Sequence, residues 1–199
     1  MTSQPTQGAA REQLYRYFVL TLRTLPVGSA LALSHPELPH AHLHAGVTLP
    51  AKDFAAEVGA ELFDMAYWVI EAPSGVRSDY FELIVQSWNR FGWSTRTDRD
   101  TPPRAAYTRT PGHAGLSVRE SVGGYLSLSG STPPFAVGSP AGMPLPEVIE
   151  HPLTVRGARS AADSPASAAA DPVPGRADSR WISDTGANES GGKRVTELQ

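Results

Sequence analysis

Residues 76–130 read VRSDYFELIVQSWNRFGWSTRTDRDTPPRAAYTRTPGHAGLSVRESVGGYLSLSG, and this stretch decides the fold. Phe81, Ile84, Val85, Trp88 and Phe91 recur at three- and four-residue intervals, which sets them on one stripe of a helix starting near Ser78. Asp79 with Glu82 three residues on approximates a capping box, with Asp in the place of the usual Ser or Thr. Arg90 suits the negative end of the helix dipole, and Gly92 suits the residue that closes a helix. Beyond Gly92 the period falls to two. Residues 93–99 and 104–110 read as strands paired across Asp100-Thr101-Pro102-Pro103, and 114–122 with 125–129 as a hairpin. A helix lying on a sheet is the arrangement that this change of period predicts.

The hairpin's register follows from its side chains. A two-residue Gly123-Gly124 loop would put Leu116 and Val118 on the face opposite Leu126 and Leu128. A three-residue loop, Val122-Gly123-Gly124, pairs Ser121 with Tyr125 and Val118 with Leu128, and gathers all four on one face. A slip of one residue turns every side chain over. The three-residue loop is therefore expected, a type I turn closed by a glycine in the left-handed region. Ser117, Arg119, Ser121, Ser127 and Ser129 then form a polar face, while Glu120 falls opposite Leu126, solvated at the sheet edge.

Upstream, residues 9–24 carry Leu14, Phe18, Leu22 and Leu25 on one helical stripe, ended by Leu25-Pro26-Val27-Gly28. Residues 29–34 form a short strand with Leu31 and Leu33 on one face. Residues 35–50 read as a loop-like insertion with four of the six histidines, and 51–60 as a short helix through Phe54, Glu57 and Val58. In 62–71, Phe63, Met65, Tyr67 and Val69 alternate with Leu62, Asp64, Ala66, Trp68 and Ile70. The second set is nearly as apolar as the first, so the strand is central.

The expected fold is α+β, a two-layer sandwich with two amphipathic helices on one face of a mainly antiparallel sheet. Its chain order is α-β-β-α-β-β-β-β. Fifteen of the sixteen aromatics lie before residue 136, Trp181 being the exception. Frayed residues 1–8 thus precede a domain at 9–131, followed by a Pro-rich extended segment at 132–153. Residues 154–199 form a tail with too little apolar surface to offset chain entropy.

Composition removes several function classes. The formal net charge of −3 offers no basic footprint for nucleic acid. No run of 18 apolar residues reaches across a bilayer. The start, Met-Thr-Ser-Gln-Pro-Thr-Gln, lacks the basic and apolar regions of a signal peptide. The absence of cysteine excludes disulfides, thiol catalysis and a lipidated cysteine, and fits a cytoplasmic location.

Tyr67-Trp68-Val69, Asp79-Tyr80-Phe81 with Trp88 and Gly92-Trp93, then Gly115 to Val122 and Tyr125 to Gly130, resemble a group of small actinobacterial α/β domains. Many of these sit in uncharacterised lipoproteins of mycobacteria and streptomycetes. The likeness spans roughly residues 10–135 and rests on packing motifs, so it implies a fold and no activity. The chain departs from the lipoproteins in lacking a signal and a cysteine to lipidate. That weighs against an exported role.

His40, His42 and His44 form a His-x-His-x-His run, with His35 five residues earlier. Alternate residues of an extended segment point the same way, so the three imidazoles could converge on zinc, nickel or copper. The competing reading is a solvated loop with adventitious metal affinity. No Gly-x-Ser-x-Gly elbow occurs, and Asp98, Asp100, Glu120 and Glu147 show no paired spacing for acid–base work. Arg96, Arg99, Arg104, Arg109 and Arg119, near Tyr107 and Trp93, suggest a basic aromatic face, which Asp98, Asp100 and Glu120 interrupt. In the tail, Trp181-Ile182 has no core to join and suits a short partner-binding motif. The expectation is a non-enzymatic binding domain without a cofactor, meeting a protein through its polar sheet face or Trp181-Ile182. Metal binding by the histidines is the alternative.

Overall fold

The computed structural model describes residues 5–51, 59–71 and 79–154. The chain runs α1 (Gln7–Leu22), β1 (Ala30–Ala32), β2 (Ser34–His35), β3 (Leu38–His42), β4 (Val47–Pro50) and β5 (Ala60–Ile70). It continues with α2 (Tyr80–Arg90), β6 (Ser94–Thr97), β7 (Ala105–Arg109), β8 (Gly115–Glu120), β9 (Leu126–Ser131), β10 (Phe135–Ala136) and β11 (Val148–Glu150). This is an α+β fold with a large antiparallel sheet. The path across it is β11-β1-β5-β9-β8-β7-β6, β4 and β10 also pair with β5, and β2 and β3 form a separate hairpin.

β5 is the axis. One of its edges takes β4 at residues 61–64 and β1 at 68–70; the other takes β10 at 60–61 and β9 at 64–68. Phe63, Met65, Tyr67 and Val69 are buried, as the alternation requires. They join one core with Leu14, Phe18 and Leu22 of α1, Phe81, Ile84 and Trp88 of α2, and Leu116, Val118, Leu126 and Leu128. Trp88 is fully buried, and its Nε1 donates to Thr21 Oγ1 at 3.0 Å, tying the helices together. Burying a ring of this size stabilises the fold by about 2–3 kcal/mol.

Both helices begin on capping side chains. Thr6 accepts from the Ala9 amide, and Asp79 from that of Glu82 at 3.1 Å. The hairpin adopts the three-residue loop. Val118 pairs with Leu128 and Glu120 with Leu126, and Gly124 has φ +82°. Gly130, which ends the motif, sits beneath Phe18 and Leu14 of α1. A Cβ there would lie 2.7 Å from Leu116 Cδ2 and 2.8 Å from Phe18 Cε2. Only glycine fits.

Two expectations need correction. Residues 35–50 are not a loop, because β2, β3 and β4 form there. β4 has no buried residue at all and owes its conformation to pairing with β5, which no periodicity reports. Residues 132–153 are more than an extension, since β10 and β11 complete the sheet and Ile149 is buried. That segment also straps α1: the Gly8 amide donates to Pro140 O at 2.8 Å and Arg11 Nη1 to Ala141 O at 2.8 Å. The chain order therefore holds more strands than expected. The short helix read through Phe54, Glu57 and Val58, and the tail motif Trp181-Ile182, lie outside the described residues.

Candidate functional site

Strand parity divides the arginines that the sequence groups together. In β7, Ala106 and Thr108 share the core-facing side with Val118 and Leu116, whereas Tyr107 and Arg109 point outward. Arg104, one step before the strand, has the parity of Ala106. The backbone bond from Glu120 N to Arg104 O, at 2.8 Å, sets these two residues opposite each other.

Arg104 is accordingly turned inward, its side chain only 10 % exposed. Its Nε donates to Glu120 at 3.0 Å, Nη1 to Glu82 at 2.9 Å and Nη2 to Asp79 at 2.7 Å. The guanidinium lies 4.2 Å from the centre of the Phe81 ring. Burial by itself would raise the Asp79 pKa, but the Arg104 hydrogen bond and the amides at the helix start outweigh it and lower the value. Burial works equally against the Arg104 charge, and its bonds to Asp79 and Glu120 outweigh that, raising its pKa. The cluster joins the start of α2 to β7 and β8. Glu120 is therefore paired, not solvated as expected, because Arg104 lies over that end of the core-facing side. Beside it runs a groove of about 810 Å³ lined by His35, Glu37, Glu71, Asp79, Arg104 and Tyr125, among others.

The outward side is different. Register aligns Arg96 with Tyr107, Ser117, Ser129 and Ala66 across five strands, and Arg119 with Ser127 and Trp68 in the next row. The Arg96 and Arg119 guanidinium carbons lie 5.1 and 5.8 Å from the centre of the Tyr107 ring. Arg96, Arg109 and Arg119 are exposed and form no ion pair among the described residues. The acidic residues that interrupt the pattern in sequence do not neutralise them. Glu120 belongs to Arg104, and Asp98 accepts from the Ala105 amide at 2.7 Å and meets Arg99 at 3.5 Å. That amide bond, foremost, lowers the Asp98 pKa. Trp93, grouped with this face in the sequence, is buried against Tyr17 and Phe91.

The histidines are dispersed. His35 packs edge-on against Tyr125 at 4.8 Å and Trp68 at 6.0 Å. His40 is exposed, His42 Nδ1 meets Ser34 Oγ at 2.8 Å, and His44 Nε2 stands 3.8 Å from Asp64. Among the described residues, no three of His, Asp or Glu stand where they could hold a metal ion. Two contacts imitate parts of a hydrolase. Ser34 and His42 are as close as a nucleophile and its base, but both are exposed, and among the described residues no hydrogen bond orients the imidazole from its other nitrogen. Near Asp64 the order is wrong for catalysis. Ser131 donates to the carboxylate, and His44 lies on the carboxylate's other oxygen, where it cannot take the serine proton.

The sequence reading missed the Arg104 cluster, although a signal existed. The hairpin register places Glu120 among apolar side chains, a carboxylate so placed needs a cation, and continuing the β7–β8 pairing one step points to Arg104. It also missed His151, only 1 % exposed, whose Nδ1 accepts from the Leu153 amide and whose Nε2 has no partner among the described residues. No helix among the described residues is long and apolar enough to cross a membrane. No protein-family model matches the chain, and neither a curated protein nor a solved structure is significantly similar to it.

Proposed function

We propose that the chain is a non-enzymatic binding domain that offers the outward side of its sheet, around Tyr107, to a protein partner. One observation carries this reading: Arg96, Arg109 and Arg119 stand exposed around or beside Tyr107, and no carboxylate among the described residues compensates them. On the core-facing side of the same sheet, Arg104 meets three carboxylates, so unpaired charge is not a general habit of this chain. The reading assumes two layers, with both helices on one side of the sheet and the other side open around Tyr107, the β2–β3 hairpin lying over its Trp68 end. It is supported by the shared core, which takes Leu14, Phe18, Phe81, Ile84 and Trp88 together with Met65, Tyr67, Val118 and Leu128. The reading places the domain in the cytoplasm, and the resemblance to small actinobacterial α/β domains is kept with it.

The test replaces Tyr107 with a photo-reactive phenylalanine in the full chain inside its own cell, with Val122 at the hairpin tip as the control position. Cross-linking to a protein at position 107 and not at 122 is expected. The absence of any cross-link at 107 would overturn the reading.

A further inference from the structure

The outward side ends at an open strand. β6 is the last strand of the sheet path and, among the described residues, pairs with β7 alone. The phase of that pairing is set by the bond from Asp98 N to Ala105 O at 2.9 Å. In an antiparallel ladder, alternate residues turn both N–H and C=O toward the same neighbour. Asp98, Arg96 and Ser94 therefore bond inward to β7, and the Ser94 carbonyl takes the Thr108 hydroxyl as well, at 3.0 Å. Thr95 and Thr97 then direct their N–H and C=O groups away from the sheet, where no backbone partner is recorded among the described residues.

We infer that β6 is a strand-addition edge for an extended acidic segment of a protein partner, with a carboxylate opposite Arg96. An incoming strand would bond to the amides and carbonyls of Thr95 and Thr97. Its residue opposite Arg96 occupies the close, non-hydrogen-bonded position, where side chains on the outward face come nearest. A second carboxylate two residues along lies over Ser94, whose short side chain leaves the way open to Arg109, its partner on β7. Arg96, Arg109 and Tyr107 thus supply the complement of an acidic strand. A second copy of this chain fits less well. Antiparallel self-pairing that uses both Thr95 and Thr97 centres on Arg96 and sets it against its own copy, a repulsive contact.

This inference rests on the proposed binding face, and the experiment separates the two. The full chain is titrated with a short peptide alternating Glu with Thr, and with the same peptide carrying Gln in place of Glu. Peptide anisotropy and amide hydrogen exchange at Thr95 and Thr97 are the readouts. The acidic peptide is expected to slow exchange at both amides, and the Gln peptide to leave them unchanged. Arg96→Glu and Thr97→Pro should each weaken the acidic peptide about tenfold or more. Pro is tolerated at an edge position whose N–H faces solvent, and the urea midpoint of each variant checks its folding. Unprotected amides, undiminished binding by Thr97→Pro, tighter binding of oligouridylate than of the peptide, or a dimer through β6 would each overturn the inference. If the Tyr107 cross-link survives Thr97→Pro, strand addition falls and the binding face stands. If the unaltered chain gives no such cross-link, the face itself falls.

Discussion

Arg104 directly precedes β7 and Arg119 lies on the neighbouring β8, yet they live in opposite conditions. Arg104 is 10 % exposed and bonded to three carboxylates from α2 and β8, with Phe81 beneath its plane. Arg119 is exposed, leans toward Tyr107 and has no ion pair among the described residues. The comparison teaches that an arginine's role in a sheet depends on which side of the strand it leaves. The core-facing side brings it within reach of a helix start, where carboxylates are already favoured. The other side brings it to water, or to a partner.

Several substitutions sharpen this contrast. Arg104→Ala should have the largest effect, because it strips the cation from Glu120, whose side chain is 13 % exposed. Removing one partner of a fully buried pair costs about 3–5 kcal/mol. Asp79 and Glu82 are 50 % and 46 % exposed and water screens them, so a loss of about 2–3 kcal/mol is expected in urea unfolding. A loss near zero would mean that the cluster is solvated.

The second test is pH. The Asp79 carboxyl is held below its ordinary value in the folded chain. Its stabilising share is therefore complete above the unfolded carboxylate pKa and is lost as the pH falls through the folded one. Asp79→Asn keeps an oxygen to cap α2 but loses the charge, so the acid decline of the urea midpoint should become shallower. An identical decline in both proteins would deny the pairing with Arg104.

Glu120→Gln, which retains an acceptor for Arg104 Nε, should cost only about 1 kcal/mol in the same assay. The smallest effect on stability belongs to Arg119→Ala, within about 0.5 kcal/mol of the unaltered chain, while cross-linking from position 107 falls. A large loss of stability there would place Arg119 in the scaffold and end its assignment to a binding face.

Much of the scaffold was legible in the residues. The stripe of Phe81, Ile84 and Trp88, the Asp79 cap and the register of Val118 against Leu128 all rest on short-range patterns that a buried core enforces. β4, β2 and β3 were not legible. A strand with every residue exposed, or with Pro39 inside it, shows no alternation, and its conformation comes from a partner distant in the chain. At the candidate site, Arg96, Tyr107, Arg109 and Arg119 were legible as a basic aromatic group. Arg104 was misplaced among them because charge was counted along the chain and not by parity. The histidine run was legible as a spacing, but the end of β3 at His42 leaves His44 to Asp64 and breaks the alternation that convergence needs.

The sequence by itself determined the local terms: one amphipathic helix with its cap, a hairpin whose register only one loop length satisfies, and a chain without cysteine chemistry. Each of these follows from contacts within a few residues or from composition. Only the tertiary structure decided that β5 joins two strands on each edge, that Glu120 and Arg104 neutralise one another against α2, and that Arg96, Arg109 and Arg119 meet no carboxylate among the described residues. Those outcomes depend on which distant carboxylate or backbone comes within hydrogen-bond distance. Coulomb and hydrogen-bond energies fall away over a few ångströms, and separation along a chain carries no record of separation in space.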